Sequence, residues 1–179
     1  MNIILLKHGL KYTSDDVNKQ AATLKKYTKS NIYCFTEDKL YVSVDCIKIP
    51  ERPNLMKWWN KMHMFRDDFP LNGKCVLFDL DITINSNPFV HIQNIDWSYP
   101  TFIHEESKKD IYIADHAYDT QLNSSILAWD ASKPNNVWNK FSTNIDYYTR
   151  KYKGIDRFFW HEDIKWRSFD NGIFKCITL

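Results

Sequence analysis

The sequence predicts an α/β domain with a mostly parallel central sheet flanked by helices. Three observations predict it. Asn2 to Leu6 is a short continuous apolar run, the pattern of a strand buried on both faces. Val17, Ala21 and Leu24 then recur at helical spacing. Ile32 to Phe35 is a second short apolar run. Strand, helix and strand in that order open a parallel sheet.

The elements follow in order. Lys7 to Tyr12 reads as a polar turn. Ser14 is the expected cap of the first helix, with Asp15 and Asp16 in its first turn and Lys25, Lys26 and Lys29 near its far end, where the helix dipole favours each sign. Tyr41 to Ile49 alternates and ends at Pro50, which predicts a strand. Asn54 is placed to cap a helix whose Leu55, Trp58, Met62 and Phe65 share one face. Cys75-Val76-Leu77-Phe78 is a further apolar strand, closed by Asp79-Leu80-Asp81. Ile111 to Ala114 and Ser125 to Trp129 are strand candidates. Pro134 can open a helix carrying Val137, Trp138 and Phe141. Gly154 to His161 reads as a short helix, and the last residues as strand or tail.

Composition sets bounds on function. The chain has 179 residues with Lys+Arg 24 against Asp+Glu 22, a net charge of +2. That length suits one domain spanning 1–179 and needs no metal or disulfide to hold a core. The near-even charge balance excludes a dedicated nucleic-acid binder, which carries a pronounced basic excess. No apolar run approaches the roughly 20 residues of a membrane helix. The N-terminal apolar stretch is too short for a signal peptide. Cys34, Cys46, Cys75 and Cys176 form no CxxC pair and read as reduced, hence a cytoplasmic location. Aromatics make up 16% of the chain. They are expected to fill a bulky core, Trp58 and Trp59 included, rather than to form stacking platforms.

Asp79 and Asp81 carry the most chemical information. An apolar strand delivers two carboxylates at its carboxyl end, where open α/β sheets bind ligands. Alternate strand residues point the same way, so the two can converge. Hard oxygen donors at that spacing suit Mg²⁺ or Mn²⁺, especially where phosphates complete the shell. Two enzyme classes place such a pair there. Asp79-Leu80-Asp81-Ile82-Thr83 matches the DxDx[TV] string of haloacid-dehalogenase-like phosphatases, in which the first Asp attacks phosphorus. That motif normally lies near the chain start, and here a whole strand–helix–strand unit precedes it.

The second class is better supported, because several segments resemble it in order. Leu6-Lys7-His8-Gly9-Leu10-Lys11-Tyr12 resembles the first, nucleoside-binding loop of nucleotide-sugar glycosyltransferases of the GT-A fold. Cys34-Phe35-Thr36-Glu37-Asp38 resembles their "FTD" turn. Trp58-Trp59-Asn60-Lys61-Met62 resembles the helix before the DxD strand. Leu122 to Leu127 resembles the "NSG/NSS" strand beside the donor sugar, and Gly154-Ile155-Asp156-Arg157 the "GDQ" segment, with an insertion and without its glutamine. The chain thus resembles small bacterial and phage glycosyltransferases, and more distantly the glycogenin and lipopolysaccharide galactosyltransferase group.

The resemblance implies a metal-dependent transferase with a nucleotide-sugar donor, expected to be a UDP-sugar, and an acceptor it does not specify. It implies Mn²⁺ or Mg²⁺ on Asp79 and Asp81, with His161 or Asp170 as candidates for a third ligand. Lys61 or Lys7 would face the phosphates, Gly9 and Tyr12 the nucleoside, with Tyr12 stacked on the base. Asp38 or Thr36 would bond the base or ribose. Asn123 and Ser124 would meet the sugar, and Asp156 would orient it or stabilise its charge. Retention is implied, and no separate carboxylate stands out as the base for an inverting attack. A degenerate nucleotide-sugar-binding protein without activity is the non-enzymatic alternative.

Overall fold

The computed structural model describes residues 1–38, 41–105 and 120–179. Seven strands form the main sheet: β1 (Asn2–Lys7), β2 (Asn31–Thr36), β3 (Asp45–Lys48), β4 (Lys74–Phe78), β6 (Thr101–His104), β7 (Leu122–Asp130) and β8 (Arg167–Ser168). Their order is β3-β2-β1-β4-β7-β6-β8. β7 runs antiparallel to both β4 and β6, and the remaining pairs are parallel. A two-stranded antiparallel ribbon joins β5 (Thr83–Ile84) to β9 (Ile177–Thr178). The predicted mostly parallel α/β sheet is what the chain forms.

Helices cover both faces. Those among the described residues are α1 (Ser14–Lys25), α2 (Phe89–Ile92), α3 (Val137–Ser142), α4 (Ile145–Lys151) and α5 (Ile155–His161), with 3₁₀ segments at Lys57–Phe65 and Asn171–Lys175. β1 shows why its sequence is apolar throughout. Ile3 and Leu5 enter one core with Val17, Ala21 and Leu24 of α1, while Ile4 and Leu6 enter the other. The second core gathers most of the aromatics: Trp59 stacks on Phe141 at 5.2 Å, and Phe158 meets Tyr148 edge-on at 5.0 Å. The high aromatic content is therefore largely core, as expected, and Trp58, 44% exposed, is an exception.

Four local expectations are corrected. The cap of α1 is Thr13, not Ser14. Its hydroxyl accepts from the Asp16 backbone N–H while the Asp16 carboxylate accepts from the Thr13 N–H at 2.8 Å, a reciprocal capping box. Asn54 caps nothing. The segment it precedes is a 3₁₀ helix opened by Met56 with no side-chain cap. At three residues per turn, Trp59, Met62 and Phe65 share the buried face, and Trp58 leaves it. The third strand is confined to Asp45–Lys48 of the expected Tyr41–Ile49. Asn123 and Ser124 belong to β7, which begins at Leu122 rather than Ser125. The strand expected at Ile111 to Ala114 lies outside the described residues. All four cysteines are free, and three are buried.

Candidate functional site

Strand order places the site. β1 leads outward to β2 and β3, and the chain then crosses back through the 3₁₀ segment to lay β4 on the other side of β1. Such a reversal opens a crevice at the carboxyl ends of the two central strands. Asp79 and Asp81 leave β4 at that point. They line a cleft of about 520 Å³ with His8, Lys11, Trp58 and Lys61 among its walls.

Lys61 is the buried cation of this cleft, 4% exposed. Its Nζ donates to Asp79 Oδ2 at 2.8 Å, to the Ser124 backbone carbonyl at 2.9 Å and to Ser124 Oγ at 3.0 Å. Three acceptors satisfy the three ammonium donors. The Asp79 backbone is fixed as well: its N–H donates to the Ser125 carbonyl at 2.9 Å. Gln20 of α1 donates its amide to the carbonyls of Asp79 and Ile82, both at 3.2 Å. Burial pushes the Asp79 carboxyl above its ordinary value, against the pull of Lys61; the nearby charges of Asp81 and Asp156 push in the same direction as burial.

Asp81 is held from the first loop. Lys11 Nζ donates to its Oδ2 at 2.8 Å and Tyr12 Oη at 2.6 Å. Partial burial raises the Asp81 carboxyl, but these two donors outweigh it and hold the group below its ordinary value. Tyr12 itself is pushed up to about 12, first by burial and then by its bond to Asp81. Each carboxylate thus commits one oxygen to lysine and turns into the same cleft.

The other expected residues divide into groups. Lys7 pairs with Asp38, Gly9 donates its N–H to Glu37, and Thr36 Oγ accepts from the Asp38 N–H at 3.2 Å. Lys7, Gly9, Thr36 and Asp38 therefore meet at the ends of β1 and β2. Tyr12 is not with them; its hydroxyl is on Asp81. Ser124 joins Lys61, whereas Asn123, its neighbour on a strand, turns the other way and accepts from the Ser125 N–H at 2.8 Å. Asp156 sits in the first turn of α5, near enough for its charge to act on Asp79. His161 stacks on Tyr152 at 5.7 Å, and Asp170 pairs with His91 at 2.8 Å. Neither lines the cleft. Among the described residues no group of three His, Cys, Asp or Glu side chains could hold a metal ion.

Three contributors escape a reading of the sequence. Gln20 had a signal: it lies on the apolar stripe of α1, between Val17 and Ala21 and Leu24, where a polar side chain needs partners. Lys11 had none, because its partner is 70 residues away. Trp58 was hidden by reading its segment at 3.6 residues per turn.

The fold defines a class: a GT-A-like α/β sheet, here with a cleft beside an acidic strand end. Solved structures with a similar fold include glycosyltransferases. They include the glycosyltransferase GlyE of Streptococcus pneumoniae TIGR4, with a TM-score of 0.63 and 11% identity over 95% of this chain and 46% of that one. A glycosyltransferase involved in glycosylation of the major capsid of PBCV-1 matches with a TM-score of 0.55 and 13% identity, over 93% of this chain and 79% of that one. The galactosyltransferase LgtC, solved with donor and acceptor sugar analogues, matches with a TM-score of 0.53 and 8% identity, over 84% of this chain and 66% of that one. This chain spans about half the length of GlyE. No protein-family profile matches the sequence, and no curated protein matches it. No helix among the described residues is long and apolar enough to cross a membrane.

Proposed function

We propose that this chain is a single GT-A-like catalytic domain that transfers a sugar from a nucleotide donor, a UDP-sugar, to an acceptor, with Mn²⁺ or Mg²⁺. The observation that carries the reading is the placement of Asp79 and Asp81, two carboxylates on one cleft at the strand-order reversal, beside a buried lysine. The donor set fits a divalent ion of the magnesium type, which takes one or two protein carboxylates and completes its shell with phosphates and water. Asp79 and Asp81 would hold it. When bound, the ion supplies Lewis-acid charge to the departing diphosphate.

The chain's own side chains do the rest. Lys61 keeps Asp79 in place and brings a second positive charge to the phosphate end. Lys7, Thr36 and Asp38 stand where the nucleoside would lie, at the ends of β1 and β2. Ser124, bonded to Lys61, and Asp156, whose charge reaches Asp79, would meet the donor sugar. There Asp156 would orient the ring or stabilise its developing charge. Retention of the sugar's configuration is part of this proposal, on the resemblance of the sequence alone.

Isothermal titration with UDP and Mn²⁺ tests this. Asp79→Asn and Asp81→Asn are each expected to lower metal-dependent UDP affinity at least roughly tenfold, about 1.4 kcal/mol, with the fold intact. Unchanged affinity in both variants would remove the metal role. A phosphorylated Asp79 in the wild type would replace the transferase by the phosphatase reading.

A further inference from the structure

We infer that Trp58 is a stacking platform for a pyranose ring of the acceptor, set against the point of transfer. The inference rests on reading the cleft as a sugar-transfer site, and deepens that reading by giving the acceptor's class.

Large apolar side chains in the open are few among the described residues, and three of them line this one cleft: Leu10, Met56 and Trp58. Trp59, the next residue, is 5% exposed, whereas Trp58 is 44% exposed. The indole is nonetheless fixed. Lys57 before it takes a positive φ of 53°, rare for a residue with a side chain, and so turns Trp58 out of the core. In the 3₁₀ segment, residues three apart eclipse, which puts Trp58 on the side of Lys61 and thus of Asp79. Gly154 packs against the indole. A Cβ there would lie 2.9 Å from both Cδ1 and Nε1 of the indole, so the bare backbone and the ring are fitted to each other. An aromatic ring that is exposed to a cleft and already immobilised costs little further ordering when a ligand lands on it.

The chemistry selects the ligand. An indole offers a broad apolar face, and a pyranose offers a face of C–H groups ringed by hydroxyls. Leu10 and Met56 extend the apolar surface. Lys57 Nζ lies over the Trp58 ring, 5.4 Å from its centroid, a cation–π contact that a hydroxyl-bearing ring would share. A nucleobase is the other flat ring in such a reaction. In the proposed function its place is by Lys7, Thr36 and Asp38, at the β1 and β2 ends; Trp58 shares its cleft with Gly9 and Tyr12 of the first loop but packs on Gly154, two residues before Asp156.

The test is saturation-transfer NMR with the methyl α- and β-pyranosides of glucose and galactose, in the presence of UDP and Mn²⁺. UDP affinity is measured on the same samples. Wild type is expected to bind at least one pyranoside. Trp58→Ala should weaken that signal roughly tenfold, and Trp58→Phe should keep most of it. Trp58→Leu, which preserves apolar packing on Gly154, should lose it as well, and serves if the alanine variant does not fold. No pyranoside signal in wild type, or an unchanged signal in both Trp58→Ala and Trp58→Leu, overturns the platform. So does a loss of UDP affinity with pyranoside signals intact, which would put the nucleobase on the indole. A wild type that binds pyranosides through Trp58 but not UDP would leave the platform standing and sink the UDP-sugar reading alone.

Discussion

His63 lies two residues beyond Lys61 and stacks on Trp138 at 5.7 Å, 1% exposed. Neither ring nitrogen has a hydrogen-bond partner. Burial, then the nearby Arg66 charge, push its imidazole down to about 4 from an ordinary 6.5; Asp68 opposes them and His8 adds slightly. The sign follows. Between pH 6.5 and 4 the unfolded chain binds a proton that the folded chain refuses, so this group's contribution is fully present above 6.5 and is lost as pH falls towards 4. At 1.36 kcal/mol per pH unit the loss is about 3 kcal/mol. Urea unfolding at pH 7 and pH 4.5 should show wild type losing most of that margin. His63→Phe, which keeps the stack on Trp138, should lose less over the same interval by about 2 kcal/mol. Equal losses in the two proteins would mean that the imidazole is already hydrated in the native state.

The elements differ in how far they could be read from the chain. α1 was legible because its apolar stripe has a plain 3.6-residue period, although the cap moved one residue when Asp16 proved able to close a box with Thr13 and not with Ser14. β4 was legible because a wholly apolar run ending in acids has few alternatives. The Lys57–Phe65 segment was not, since a 3.0-residue period and a 3.6-residue period agree on Met62 and Phe65 and disagree on Trp58. β6 and β8 are four and two residues long and owe their existence to pairing partners distant in sequence. Within the site, the carboxylates and Lys61 were visible as residue types. Their convergence was legible too, but not the bonds that anchor them, because Ser124, Lys11 and Tyr12 reach them from β7 and the first loop. Gly154 ties two elements together and gives a test at this scale. Its φ of 145° suits glycine, and the indole of Trp58 fills the space a side chain would need. Gly154→Ala is expected to lower stability by about 1–3 kcal/mol, read by thermal unfolding. It should also shift the Trp58 indole N–H resonance, whereas an alanine variant as stable as wild type would mean that α5 can shift without cost.

At the scale of the whole molecule, charge is nearly balanced but unevenly placed. A net +2 spread over 179 residues gives a diphosphate little reason to approach. The cleft differs from that average: Lys11, Lys57 and Lys61 converge on it, with Lys7 just behind at the end of β1. Against them stand Asp79, paired with Lys61, and Asp81, paired with Lys11, while Lys57 lies over the Trp58 ring, so the cleft keeps a small positive excess. Lys61 is buried in this arrangement and little screened. Lys11, with a side chain 68% exposed, forms a surface pair with Asp81 that salt weakens readily and that is worth little to stability. Two consequences follow for a polyanionic ligand. UDP affinity with Mn²⁺ is expected to fall roughly three- to tenfold between 50 mM and 500 mM NaCl, as the Debye length shrinks below the width of the cleft. Lys11→Met should leave the thermal midpoint within about 2 °C of wild type, since the pair contributes at most about 0.5 kcal/mol. The same variant should flatten the salt dependence, because the exposed cation is the one that ions screen. Titrations of both proteins across the salt series check this directly. A slope unchanged by Lys11→Met would assign the phosphate attraction to the buried Lys61 alone, and leave Lys11 the lesser task of holding the first loop to Asp81.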